Sequence, residues 1–112
     1  MKPSYYVYIT TNPSKTVLYI GRTNDLTQRL TEHWLGKGSA KTFAGKYYCY
    51  NLLYFEETQY VLNSIDREKQ LKGWRRSKKE WLIDQTNPDR RFLNNEIMIW
   101  PPQNPFHRKE FD

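Results

Sequence analysis

The sequence predicts an α+β chain of three strands and three helices, and three observations carry that expectation. Two apolar, aromatic runs at residues 5–10 (YYVYIT) and 17–21 (VLYIG) flank a turn-forming TNPSK segment, the pattern of a β-hairpin. The apolar spacing then changes from two residues to four at Leu26, Leu30 and Trp34, which is helical. A third strand-like run at residues 48–56 (YCYNLLYFE) precedes two further helical segments.

Taken in order, Pro3 and Asn12-Pro13 bound the first strand, and Asn12 and Ser14 suit a turn because their side chains bond to local backbone. Alternation in the second strand places Leu18 and Ile20 on one face and Val17, Tyr19 and Gly21 on the other. Glycine at the end of that strand permits close backbone approach. Thr23, Asn24 and Asp25 are candidate N-caps for a helix running to about Leu35, with Arg29 and His33 one turn apart beside its buried stripe.

Residues 36–48 (GKGSAKTFAGKYY) read as a loop studded with Lys37, Lys41 and Lys46, either a solvated connector or a mobile segment contacting phosphate. Residues 61–71 form the second helix, with Val61, Leu62, Ile65 and Leu71 as its apolar positions and Gly73 as its stop. Ser77 and Glu80 match a capping box that opens a third helix through Trp81, Leu82 and Ile83, and Asn87-Pro88 ends it. The short apolar piece EIMIW of the tail is expected to add an edge strand or pack on the sheet.

Composition narrows the function. At 112 residues the chain is the size of one domain. Cys49 is its single cysteine, which excludes an internal disulfide framework and a thiolate metal cluster and suits a reducing compartment. No apolar run approaches the length that spans a bilayer, and MKPSYYVYIT lacks the features of a signal peptide, so a cytoplasmic location without membrane contact is expected.

The formal net charge of +6 favours an anionic partner, nucleic acid being the commonest for such a chain. Aromatic residues make up 16%, enough for some rings to lie at the surface and stack on bases or sugars. The most basic stretch runs from Arg67 to Lys79, where Glu68 is the sole acid. Lys72, Arg75, Arg76 and Lys78 of that stretch, with Lys41 and Lys46 of the loop, are the candidate nucleic-acid contacts.

The order of elements and the residues on them resemble the GIY-YIG nuclease superfamily, in particular small free-standing bacterial members similar to the N-terminal nuclease domain of the excision-repair subunit UvrC. Tyr6-Val7-Tyr8 matches the first half of the motif, with tyrosine in place of its first glycine, and Tyr19-Ile20-Gly21 matches the second half unchanged. Ten residues separate Tyr8 from Tyr19, and Arg29 follows Gly21 by eight, where the family's arginine is expected. His33 stands at a position usually held by His or Tyr, and Glu68 matches the family's metal-binding glutamate. Asn87 lies too far along the chain to match the polar residue that some members carry after that glutamate.

The resemblance, which covers roughly Tyr5 to Lys79, implies a small three-stranded antiparallel sheet flanked by helices; a nuclease-like domain is expected over residues 1–90, with a C-terminal tail over 91–112 that would pack on it. It also implies DNA as substrate and hydrolysis of phosphodiesters, with Tyr8, Tyr19, Arg29, His33 and Glu68 as the catalytic set. Glu68 would be the sole protein ligand of Mg²⁺ or Mn²⁺, and Arg29 would clamp the phosphate through its planar guanidinium. Tyr19 or Tyr8 would orient and deprotonate the attacking water, with His33 as alternative base or relay. Arg22 would contact phosphate or depress a tyrosine pKa. A module that binds nucleic acid without cutting it is the alternative, and it would not need the catalytic set intact.

Overall fold

A computed structural model describes residues 2–103. Its elements are β1 (Tyr5–Thr11), β2 (Leu18–Thr23), α1 (Leu26–Leu35), α2 (Phe43–Lys46), β3 (Asn51–Thr58), α3 (Val61–Gly73), α4 (Arg76–Thr86) and α5 (Asn94–Ile97). The strands form one antiparallel sheet in the order β2-β1-β3, as the resemblance implies. Of the tail expected over 91–112, residues 104–112 lie outside the described part. No described helix is long and apolar enough to cross a membrane.

Strand alternation sorts the core into two layers. Val7, Ile9 and Ile20 join Leu53, Leu71, Leu82 and Ile83 on the face covered by α3 and α4, with Leu18 packed against them. Tyr8, Leu52, Leu26 and Leu30 form the opposite layer under α1, with Tyr6 and Tyr19 at its margin. One bulge shifts the β1–β3 register. Ile9 pairs with Tyr54 and Thr10 with Leu52, so Leu53 is the extra residue, and Leu53 and Tyr54 both enter the α3 layer.

Asp25 caps α1 by accepting a 3.0 Å hydrogen bond from the Gln28 amide, while Thr23 belongs to β2. Trp34 extends the α1 stripe only in part, since it is half-buried and packs edge-on against Tyr50 and Trp100. The segment read as a loop contains α2, which Thr42 caps by accepting from the Gly45 amide. Tyr48 closes that turn in the left-handed region at φ 58°, and its amide bonds the Gly45 carbonyl. The third strand therefore starts at Asn51 rather than at residue 48.

Two helices depart from their expected patterns. In α3, Val61, Leu62 and Ile65 are exposed, and the inward positions are Ser64 and Leu71. Ser64 is fully buried and donates to the Val61 carbonyl, so its small side chain lets α3 approach the sheet closely. In α4, the helix begins at Arg76 and no side chain caps it. Glu80 is held by Arg76 at 2.7 Å, not by the expected reciprocal box with Ser77.

The outer edge of β3 is closed by the chain that follows α4. Asn94 Oδ1 accepts from the Leu52 amide at 2.7 Å, its Nδ2 donates to the Tyr50 carbonyl, and the Leu93 amide bonds the Leu52 carbonyl. Asn87 Nδ2 donates to the Leu53 carbonyl. These bonds cover an edge that would otherwise template further strands. The opposite edge, β2, carries the residues considered next.

Candidate active site

The site is built on the direct pairing of Tyr8 with Gly21 across β1 and β2. The Tyr8 ring is fully buried and lies over Gly21, where a Cβ would come within 2.4 Å of Tyr8 Cζ. Glycine is therefore required here by close approach of a neighbouring ring. From α1, His33 reaches the same ring, and its Nε2 lies 2.7 Å from Tyr8 Oη. Tyr19 completes a triangle of rings, 6.2 Å from Tyr8 and 5.3 Å edge-on from His33 by centroid.

The environment sets the protonation of this group. Burial first, then the neighbouring Tyr19, pushes the Tyr8 hydroxyl far above its usual range; Arg29 pulls it down and Glu68 adds to the rise. Burial, assisted by the Arg29 guanidinium, pushes His33 down to about 4. At neutral pH the pair is thus a protonated phenol against a neutral imidazole, and one hydrogen bond joins them.

Arg29, Tyr19 and His33 line a cleft of 310 Å³ together with Lys41 and Phe43. Arg29 Nε stands 3.4 Å from Glu32 Oε1, an exposed pairing that leaves the guanidinium accessible from the cleft. Glu68 approaches from α3, on the other side of the sheet. Its carboxylate meets Lys72 Nζ at 3.1 Å and Arg22 Nε at 3.7 Å. The Arg22 Nε atom is buried and, at this distance from Glu68, makes no hydrogen bond among the described residues, while the guanidinium as a whole is half-buried.

Among the described residues no three His, Cys, Asp or Glu side chains gather into a metal-sized group. A metal at this site would rest on the Glu68 carboxylate alone. That donor suits a hard dication that keeps most of its water and shares phosphate oxygens with its substrate, so Mg²⁺ or Mn²⁺ fits the residues present.

Of the candidate nucleic-acid contacts, Arg22 and Lys72 flank Glu68, and Lys41 lines the cleft. Lys46 lies 5.3 Å over the Tyr47 ring, Lys78 lies over Trp74, and Arg75 is exposed at the start of α4. Arg76 is engaged structurally: besides Glu80 it donates to the carbonyls of Thr16 at 2.6 Å and Lys15 at 3.2 Å. Asn87 is buried, and its side-chain amide donates to the Leu53 and Arg91 carbonyls. Phe43, which the sequence reading passed over, stacks on Tyr19 at 6.1 Å and 24°. Thr42 before Phe-Ala-Gly was the available signal, an N-cap inside a segment taken for a loop.

Residues 4–80 match the family model described as GIY-YIG catalytic domain. Neither a curated protein nor a solved structure matches the chain.

Proposed function

The chain belongs to the GIY-YIG catalytic-domain family, and from that premise we propose that it is a metal-dependent endonuclease hydrolysing phosphodiester bonds of DNA. The single observation that carries this reading is the Tyr8–His33 hydrogen bond, which joins a buried phenol to an imidazole that lines the same cleft as Arg29. A binding surface alone gains nothing from a buried phenol and a neutral imidazole in contact.

The scissile phosphate would sit over the β2 edge between Arg29 and Arg22. Arg29 presents a planar fork to the non-bridging oxygens, and the guanidinium of Arg22, half-buried beside Glu68, donates to another. Glu68 would hold Mg²⁺ or Mn²⁺, which when bound supplies Lewis-acid stabilisation of the phosphate and of the departing 3′ oxygen. Lys72 and Arg22 offset the carboxylate charge until then.

The attacking water is oriented in the cleft by Tyr19 and His33, with the buried Tyr8 hydroxyl behind the imidazole. As the water attacks phosphorus, the neutral His33 takes its proton on one ring nitrogen while its Nε2 stays bonded to Tyr8 Oη, which holds the ring in place. No free tyrosinate has to form, which agrees with the upward shift of Tyr8. Negative charge arriving with the phosphate raises the basicity of His33 when it is needed.

The test is incubation of the purified protein with single-stranded, duplex and branched DNA, in Mg²⁺ or Mn²⁺ and in chelator. Chelator-sensitive cleavage of at least one form is expected. Binding without cleavage of any form would identify instead a non-catalytic nucleic-acid-binding module.

A further inference from the structure

The rings beside the catalytic cleft form a continuous row. Tyr19 stacks on Phe43 at 6.1 Å and 24°, and Phe43 meets Tyr47 at 4.7 Å and 50°. Phe43 is 51% exposed and Tyr47 38% exposed. A contiguous pair of rings at such exposure suggests a surface that something covers, and Phe43 opens onto the same cleft as Arg29 and His33.

The row is held in place by the fold. Thr42 caps α2, and Gly45 is pressed so closely on the end of α1 that a Cβ there would lie 2.7 Å from the Gly36 carbonyl oxygen. The Gly38 amide bonds the Gly45 carbonyl at 2.9 Å, which closes the loop onto itself. Phe43 is therefore presented by a rigid turn rather than by a free loop. Cations border it on both sides, Lys41 in the cleft and Lys46 over Tyr47.

An aromatic face flanked by lysines and continuous with a phosphate site matches the chemistry of a nucleotide, whose base stacks while its phosphates pair with cations. The geometry points to Phe43, backed by Tyr47, as a base-stacking ledge that takes an unpaired nucleotide next to the scissile phosphate. A base inside a duplex has both faces occupied by its neighbours and offers none to this ring. The ledge makes Phe43 a specificity-determining residue for strands with an unpaired base at the cut. This inference rests on the nuclease reading for the position of the phosphate.

The experiment compares equilibrium binding, in chelator, of an oligothymidylate and an abasic strand of equal length and charge. Wild type is expected to bind the oligothymidylate about tenfold more tightly, the size of one stacking contact. Phe43→Leu keeps apolar packing on Tyr19 but has no π face, and should lose that preference while binding the abasic strand as wild type does. Phe43→Tyr should retain it. Equal affinity of wild type for both strands, or an undiminished preference in Phe43→Leu, overturns the ledge and leaves the nuclease reading standing. Failure of wild type to bind either strand also overturns the ledge, whereas the nuclease reading falls only if duplex and branched DNA go uncut as well.

Discussion

The Tyr8 hydroxyl occupies the space where a Cβ on Gly21 would stand: the two positions pair directly across β1 and β2, and the added atom would come 2.3 Å from Tyr8 Oη. The Tyr8 ring is fully buried and bonded to His33, so it cannot swing aside without breaking that bond. Gly21→Ala is expected to cost about 1–3 kcal/mol of stability through overpacking. It should also cut cleavage by about a hundredfold, as expected when the group that holds the His33 base is displaced. Urea unfolding and turnover on one sample check both, and full activity in the variant would contradict this placement of Tyr8.

His33 gives the protein a pH-dependent stability of definite sign. Its pKa in the fold is about 4, below the ordinary 6.5, so between those values the unfolded chain takes up a proton that the folded one refuses. The contribution is fully present above about 6.5 and is lost as pH falls towards 4. Between pH 7 and pH 5 the loss attributable to His33 is about 2 kcal/mol. Unfolding curves of wild type and His33→Gln at both values isolate it, the variant being expected to lose that much less on acidification.

Arg29 lines the cleft with its guanidinium accessible, and planarity is what a phosphate would use. Arg29→Lys should keep DNA binding within about threefold, because the charge is retained, yet lower kcat by about a hundredfold. Single-turnover cleavage alongside a binding isotherm separates the two. A variant equal to wild type in rate would remove Arg29 from the phosphate.

The two arginines that open α4 are expected to differ. Arg76 ties α4 to the β1–β2 turn through the Thr16 and Lys15 carbonyls, so Arg76→Ala should lower stability by about 1 kcal/mol. Arg75 is exposed, and Arg75→Ala should leave stability unchanged but reduce the salt dependence of DNA binding by about one counterion. Thermal unfolding and binding at several salt concentrations decide this, and an inverted pattern would exchange their roles.

Residues whose placement depends on local pairing were legible in the sequence. Tyr8, Tyr19 and Gly21 follow from two strands and a short turn, and Arg29 and His33 from a four-residue helical step. What escaped depends on long-range contacts. The β3 bulge at Leu53 leaves no mark in an almost wholly apolar run. The inward face of α3 is set by a small polar residue, Ser64, so hydrophobicity pointed to Val61, Leu62 and Ile65 instead. Ser77 and Glu80 have capping-box spacing, but Arg76 competes for the carboxylate with a charge-assisted bond. Phe43 was hidden because a single-turn helix has too few residues to show a period.

The decisive experiment is Glu68→Gln assayed beside wild type, with binding and cleavage of the same DNA in Mg²⁺ and in chelator. Wild type should cleave only with metal, and the variant should bind within about threefold of wild type while cleaving about a thousandfold more slowly. Equal cleavage by the variant, or undiminished cleavage by wild type in chelator, would contradict the metal-dependent reading.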